Sequence, residues 1–412
     1  GAVDLLVVGR FGSTSGLSGV STGSQVLNLV TFVVTQLAMG ITVLIARYLG
    51  EKREDQIGSI IGGGTVVFAA ISLVLFVIMV GFARPIAVLM QAPEEAVGLT
   101  AAYIRICGAG IFFIVAYNVL SAIFRGLGDS NSPLLFVFVA CIVNVVGDLV
   151  LVAGLGMDAM GAALATVFAQ ALSVVFAIVR LVKKGLPFTI TGYDFRWNPQ
   201  CDKFLQIGLP LALQECLTQG SFLALCAFVN RLGLEASSGY GVACKIVNFA
   251  MLIPSALMQS TSSFVSQNVG AGEQKRAKKT MFTGIGIGLL VGCFAFSLVF
   301  FRGDLLAGIF SADAAVVQRG YEYLKGFAPE TLLTAVLFSM MGYFNGNGKT
   351  VWVMLQGLIQ TLLVRLPFAY YMSIQPDASL TNIGLAAPIS TAVGIVLNVA
   401  FFLYLEHAAK RS

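Results

Sequence analysis

The amino-acid sequence predicts an all-α polytopic membrane protein of about twelve transmembrane helices, arranged as two six-helix lobes. Three observations predict it. Hydrophobic residues make up 57% of the chain and charged residues only 11%, against about 25% charged in soluble domains. The mean hydropathy is +0.88. Apolar runs of about 18 residues or more recur along the whole chain, each bounded by a short polar turn. The sequence also repeats itself once, about 220 residues on.

This composition leaves no room for a soluble catalytic domain. The net charge of +5 points to no nucleic-acid partner, because in a membrane chain the distribution of Lys and Arg sets orientation instead. The cysteines Cys107, Cys141, Cys201, Cys216, Cys226, Cys244 and Cys293 are scattered without a Cys-x-x-Cys pair, which argues against a zinc or disulfide framework. His407, the single histidine, stands at the end of the last span and reads as an interfacial side chain.

The candidate spans cover 1–11, 23–48, 58–83, 99–125, 133–155, 161–183, 204–230, 243–268, 280–302, 319–345, 350–374 and 384–406. Span 1, GAVDLLVVGR, carries Asp4 and reads as the second half of a helix. Span 2 ends at a basic turn, Arg47, Lys52 and Arg53. Span 3 contains Gly62-Gly63-Gly64-Thr65, which lacks the lysine of a phosphate loop and reads as close helix packing. Span 4 carries Arg105 near one end. Span 5, SPLLFVFVACIVNVVGDLVLVAG, is the chemically informative one. Asn144 and Asp148 lie four residues apart in it and so share one helix face. A mid-membrane carboxylate is costly unless paired, solvated or protonated, which makes Asp148 a functional candidate. The plainer alternative is an interhelical hydrogen bond. Span 6 brings Thr166.

A polar connection with Pro187, Trp197 and Pro199 follows. It divides the chain into an N-terminal lobe, 1–184, a linker, 185–203, and a C-terminal lobe, 204–412. Span 7 holds Gly208-Leu209-Pro210, which should bend it, then Gln214-Glu215. Glu215 is either a protonation or cation contact, or a wetted or Gln214-paired side chain. Span 8 carries Lys245. Span 9 contains Gly284, Gly286 and Gly288, with no preceding strand for a dinucleotide fingerprint. Span 11 carries Arg365-Leu366-Pro367, read as a snorkelling anchor in preference to a substrate contact. The ionisable residues counted inside spans are thus Asp4, Asp148 and Arg105 in the first half and Glu215, Lys245 and Arg365 in the second.

The repeat is explicit. IARYLGEKRED at 45–55 falls on VSQNVGAGEQK at 265–275. PIAVLMQA at 85–92 falls on LLAGIFSA at 305–312. Tyr103-Ile104-Arg105 falls on Tyr323-Leu324-Lys325, and Phe124 to Gly128 falls on Phe344 to Gly348. Near the end Gly161 pairs with Gly384. Six spans per half is an even number, so both halves enter the membrane in one direction, as parallel repeats about a pseudo-two-fold along the membrane normal. The start of span 7 maps to about twenty residues before Gly1, so the repeat predicts that the first half of span 1 is missing. Basic residues cluster in alternate connections, which puts both termini in the cytoplasm.

Asp4, Asn144, Asp148 and Thr166 offer two carboxylates, an amide and a hydroxyl. If they converge, they suit a hard cation such as sodium. The carboxylate pair equally suits a proton. The spacing supports Asn144–Asp148, whereas the contact with Asp4 is an expectation.

The motifs themselves resemble a known family. GAVDLLVVGRFG, FRGLGDSNSP, NVVGDLVLVAGLGMDAMGAALAT and QIGLPLALQE resemble the corresponding segments of multidrug and toxic compound extrusion (MATE) transporters, nearest the bacterial DinF-like branch. The resemblance implies two six-helix lobes around a central cavity. It also implies a monomer in the bacterial cytoplasmic membrane that exchanges a small organic substrate for protons or sodium, with no cofactor beyond that coupling ion. Carried over residue by residue, Asp4, Asn144, Asp148 and Thr166 form the cation site, holding sodium if sodium is the coupling ion. Gln36, Gln214 and Glu215 are expected to line the substrate cavity. Glu215 departs from the Gln-Gln usual there, and no acidic residue is matched to a second cation site in the C-terminal lobe. A lipid-linked oligosaccharide flippase is the alternative. Such a protein would carry a strongly cationic cavity, and few intramembrane Arg or Lys are found. An intramembrane enzyme would need an acidic cluster or a His-rich site, but Asp129 and Asp377 stand alone. A channel would need a filter-like loop.

Overall fold

The structure is a computed structural model that describes residues 2–90, 92–183, 189–311 and 313–411. Among the described residues every regular element is a helix. The first half contains α1 (Ala2–Phe11), α2 (Thr14–Gly50), α3 (Asp55–Gly81), α4 (Ala83–Leu89), α5 (Glu94–Ala109) and α6 (Ile111–Gly126). It continues with α7 (Asn131–Asp148), which runs into a π-helical turn (Leu149–Gly154), and α8 (Asp158–Lys183). The second half contains α9 (Pro199–Asn230), α10 (Leu234–Gly270), α11 (Gln274–Phe310), α12 (Ala314–Phe327), α13 (Glu330–Gly346) and α14 (Thr350–Leu358). It ends with a π-helical turn (Ile359–Arg365), α15 (Leu366–Ser373), α16 (Leu380–Gly384) and α17 (Ala386–Arg411). Among the described residues nine helices are long and apolar enough to cross a membrane, and eleven if each bent pair counts as one span. With the short α1, the twelve expected spans are accounted for.

The duplication is written in the backbone. α2 and α10 are both 37 residues long. Each closes with the same turn. Arg53 N donates to Tyr48 O at 2.9 Å, and Glu273 N to Asn268 O at 2.8 Å. The residue between takes a left-handed conformation in both copies, Lys52 at φ 57° and Gly272 at φ 76°. The turns after α6 and α13 match likewise, with Gly128 at φ 78° and Gly348 at φ 74°. Breaks recur too. Arg302 leaves helical geometry inside α11 at φ −134°, where Phe82 separates α3 from α4 at φ −111°.

Two spans expected to be single helices are each two. α5 and α6 meet at 54°, and α12 and α13 at 47°. The causes differ. Gly110 sits at the first bend, where a Cβ would stand 2.3 Å from Val167 Cγ1. Pro329, which brings no N–H and crowds the preceding turn, sits at the second. At Pro210 the helix is not interrupted, and α9 runs through it.

By internal packing the chain divides into two units, Gly1–Ala212 and Leu213–Ser412, with the division inside α9. The first unit is cored by Ile41, Ile45, Tyr103, Ile104, Phe124 and Phe136. Phe124 and Phe136 meet edge to face at 5.1 Å. The second is cored by Val229, Tyr240, Val299, Tyr323, Leu324 and Phe327.

Of the linker, residues 184–188 lie outside the described set. The remainder docks on α3. Gly62 faces the Asp194 backbone, and Gly63 faces Asn198 and Cys201, so the glycine run serves packing. Asp194 accepts from Thr191 N at 2.8 Å and from Ser59 Oγ at 2.8 Å. The Thr191 backbone N–H, then the Ser59 hydroxyl, hold its carboxyl below the ordinary carboxylate range. A depressed folded value stabilises docking above the unfolded value of about 4 and loses that stabilisation as pH falls through the folded value. The protection factor of Thr191 N–H against hydrogen exchange is therefore expected to be flat from neutrality to about pH 5 and to fall below about pH 4. The effect is small, because the carboxylate is solvated.

Candidate cation site

Four side chains from three elements of the first unit meet around two buried carboxyls. Asp4, in the first turn of α1, and Asp148, the last residue of α7, are both fully buried. Thr166 of α8 donates from Oγ1 to Asp4 Oδ2 at 3.1 Å. Asn144, one turn before Asp148, donates from Nδ2 to Thr166 Oγ1 at 3.4 Å. The Asp148 carboxyl lies within hydrogen-bonding reach of the Asp4 carboxyl. Neither Asp148 oxygen has a hydrogen-bond donor among the described residues. A carboxyl without a donor, set against a second carboxyl, leaves a place for a proton or a cation.

The local sequence explains the placement. Asn144 and Asp148 share a face of α7 because they are one turn apart. Directly after Asp148 the helix widens into the π turn, with Leu155 N bonded to Val150 O at 3.0 Å. Single π turns recur at functional sites. Glycines allow the approach of the next helix: a Cβ at Gly147 would stand 2.9 Å from Ala165 Cβ.

The sequence reading missed two members. Tyr103, on α5, is buried, with its hydroxyl beside Thr166 and Cys107. Both precede the bend at Gly110. A tyrosine in an apolar run resembles core, but its match to Tyr323 in the repeat was the available signal. The other expected residues stand elsewhere. Gln36, on α2, is half-buried. Gln214 lies on α9 and packs on Gly357, and Glu215 accepts from Gln219 Nε2 at 2.7 Å.

Two further expectations are corrected in the second unit. Arg365 does not snorkel. It is 7% exposed and lies 3.9 Å from Glu330. Glu330, absent from the sequence count of intramembrane charges, stands just past the Pro329 bend and is buried. Its place after a proline made it look like a turn residue. Among the described residues no group of three or more His, Cys, Asp or Glu side chains is arranged to hold a metal ion. The oxygen set of Asp4, Asn144, Asp148 and Thr166 instead has the hard donors an alkali cation takes.

Comparison with known proteins gives one answer. The MatE family model matches residues 1–150 and 210–371. The probable multidrug resistance protein YpnP of Bacillus subtilis (strain 168) is 24% identical over 372 residues, 90% of this chain and 83% of its own length. The multidrug export protein MepA of Staphylococcus aureus (strain NCTC 8325 / PS 47) is 25% identical over 371 residues, 87% of this chain and 80% of its own. Among solved structures, the outward-facing conformation of a multidrug resistance MATE family transporter of the MOP superfamily superposes with TM-score 0.93 at 20% identity. It covers 99% of this chain and 92% of that one. A MOP superfamily transporter from Pyrococcus furiosus superposes with TM-score 0.92 at 21% identity, covering 100% and 92%.

Proposed function

The chain belongs to the MatE family, and from that premise we propose that it is a secondary antiporter exporting amphipathic, mostly cationic organic compounds in exchange for protons or sodium. The observation that supports this most is the pair Asp4 and Asp148, two buried carboxyls facing each other with no donor on Asp148. A proton or a sodium ion bound there removes the like-charge repulsion and supplies the missing partner. The bound and free forms of the site then favour different arrangements of the helices that build it. A substrate that binds one arrangement better is coupled to the ion by that difference alone. The elements able to move are the π turn after Asp148 and the bend beside Tyr103 and Cys107. Asp4, Asn144, Asp148 and Thr166 hold the ion, and Tyr103 fixes Thr166. Gln36, Gln214 and Glu215 are the substrate contacts in this reading. The protein acts as a monomer in the bacterial plasma membrane with both termini in the cytoplasm, and it needs no cofactor. A flippase is not favoured, since the relatives above are named for multidrug export or resistance.

The test is efflux of a fluorescent organic cation from proteoliposomes under a pH gradient and, separately, a sodium gradient. Efflux driven by one of them identifies the coupling ion, and gradient-independent leakage defeats the reading. Tyr103→Phe removes the hydroxyl beside Thr166, a polar contact of about 1 kcal/mol at most. The ion concentration for half-maximal efflux is expected to rise about fivefold in that variant, with maximal efflux unchanged.

A further inference from the structure

The second unit holds a buried ionic cluster that the proposal above does not use. Glu330 opens α13, and Arg365 closes the π turn before α15. Arg365 Nη2 lies 3.9 Å from Glu330 Oε1, and the two side chains are 9% and 5% exposed. Arg365 Nε donates to Ser390 Oγ of α17 at 3.2 Å, and its guanidinium carbon sits 5.8 Å from the centre of the Phe222 ring of α9. Thr391 Oγ1 donates to the same Glu330 oxygen at 2.8 Å and accepts from Gln360 Nε2 at 3.0 Å. Gln356 Nε2 donates to Gln360 Oε1 at 2.6 Å. Glu330 Oε2 has no hydrogen-bond partner among the described residues. The other titratable groups near this cluster are Tyr323 of α12, with Tyr240 and Cys244 of α10.

The repeat makes this cluster the counterpart of the first. Tyr323 stands one repeat, about 220 residues, after Tyr103. The contributing elements α9, α12 with α13, α14 with its π turn, and α17 repeat α1, α5 with α6, α7 with its π turn, and α8. The residue types, however, have changed. The first unit sets carboxylate against carboxylate. The second sets carboxylate against guanidinium.

We propose that Arg365 is a tethered cation, filling in the second unit the electrostatic place that the coupling ion fills in the first. Ion binding is then confined to the first unit, and a single site sets the coupling stoichiometry. The proposal rests on the reading of Asp4 and Asp148 as the coupling site. A guanidinium keeps its charge at any physiological pH. It is held here by Ser390, the Phe222 ring and Glu330 together, so a diffusing ion must displace a covalently attached competitor. Removing the guanidinium leaves Glu330 buried, uncompensated and bare on one oxygen, and an uncompensated buried carboxylate takes up a proton or a cation. A latent second cation site is thereby created.

The experiment follows the thermal unfolding midpoint of the purified protein in sodium chloride and in choline chloride, across neutral and acidic pH. In Asp148→Asn the midpoint is expected to be the same in both salts. Adding Arg365→Met is expected to restore an ion or proton dependence, a rise of about 2 °C on adding sodium or acid. Adding Glu330→Gln as well is expected to abolish it. The proposal is overturned if the Arg365→Met background responds no more than Asp148→Asn alone, or if its response survives Glu330→Gln. Should Arg365→Met prevent folding, recovery of folded protein by Glu330→Gln supports the pairing, and failure to recover overturns it. Parent-like ion dependence in Asp148→Asn alone defeats the first-unit reading instead, and so separates the two failures.

Discussion

Asp148→Asn is expected to lower gradient-driven efflux about a hundredfold, the upper part of the range that coupling between two sites spans. The substitution keeps shape and removes charge. Asp148 ends fully buried beside Asp4, with neither oxygen bonded to a donor. An amide there satisfies the Asp4 carboxyl without any ion, so the bound-like state becomes permanent. The same reasoning gives the stability its sign. Like-charge repulsion between two buried carboxyls disappears, so the unfolding midpoint of Asp148→Asn is expected to equal or exceed that of the parent while transport is lost. A residue retained at a cost to the fold is the signature of function over stability. Efflux within about twofold of the parent under either gradient would reduce Asp148 to a packing residue.

Gly40→Val and Gly208→Val are expected to be among the most destabilising single changes, each by about 3 kcal/mol. The two glycines lie where α2 meets the start of α9. A Cβ at Gly40 would stand 2.1 Å from the carbonyl oxygen of Phe204, and one at Gly208 would stand 2.3 Å from that of Leu37. In each case the obstacle is backbone, which has no rotamer to change. The helices must separate, and a packed membrane interface then loses its contacts along several turns. Because both substitutions force the same separation, the double variant is expected to cost less than the sum of the two. Gly286→Ala is the control. Nothing lies within 4 Å of its Cβ position, and alanine in a helix interior stabilises by up to about 1 kcal/mol. Unfolding midpoints and yields of folded protein read all of these, and a parent-like Gly40→Val would refute the close packing.

Much of this molecule was legible in its sequence because membranes impose blunt rules. Span number follows from hydropathy, and the repeat follows from direct comparison of Tyr103 with Tyr323 and of Gly128 with Gly348. Asn144 and Asp148 could be placed on one face by counting alone. The bends were not legible, because Gly110 and Ala328-Pro329 interrupt runs that remain apolar on both sides. Nor was Tyr103 as a site member, since its phenol ring reads as core until the helix opposite is known to carry Thr166. Arg365 was misread for a related reason. An arginine near a proline in a late span looks free to reach water, and only the fold reveals that Glu330 stands opposite it.

The paired turns Lys52 and Gly272 carry a lesson about descent. Both sit in the left-handed region, where a side chain costs about 1–2 kcal/mol and glycine costs little. One copy carries the residue that suits the torsion, and the other carries lysine on the same path of the chain. The two halves thus share a backbone angle where they do not share the amino acid. In such a molecule common ancestry is better sought in dihedral angles at the turns than in letters along the spans, where almost any apolar residue serves.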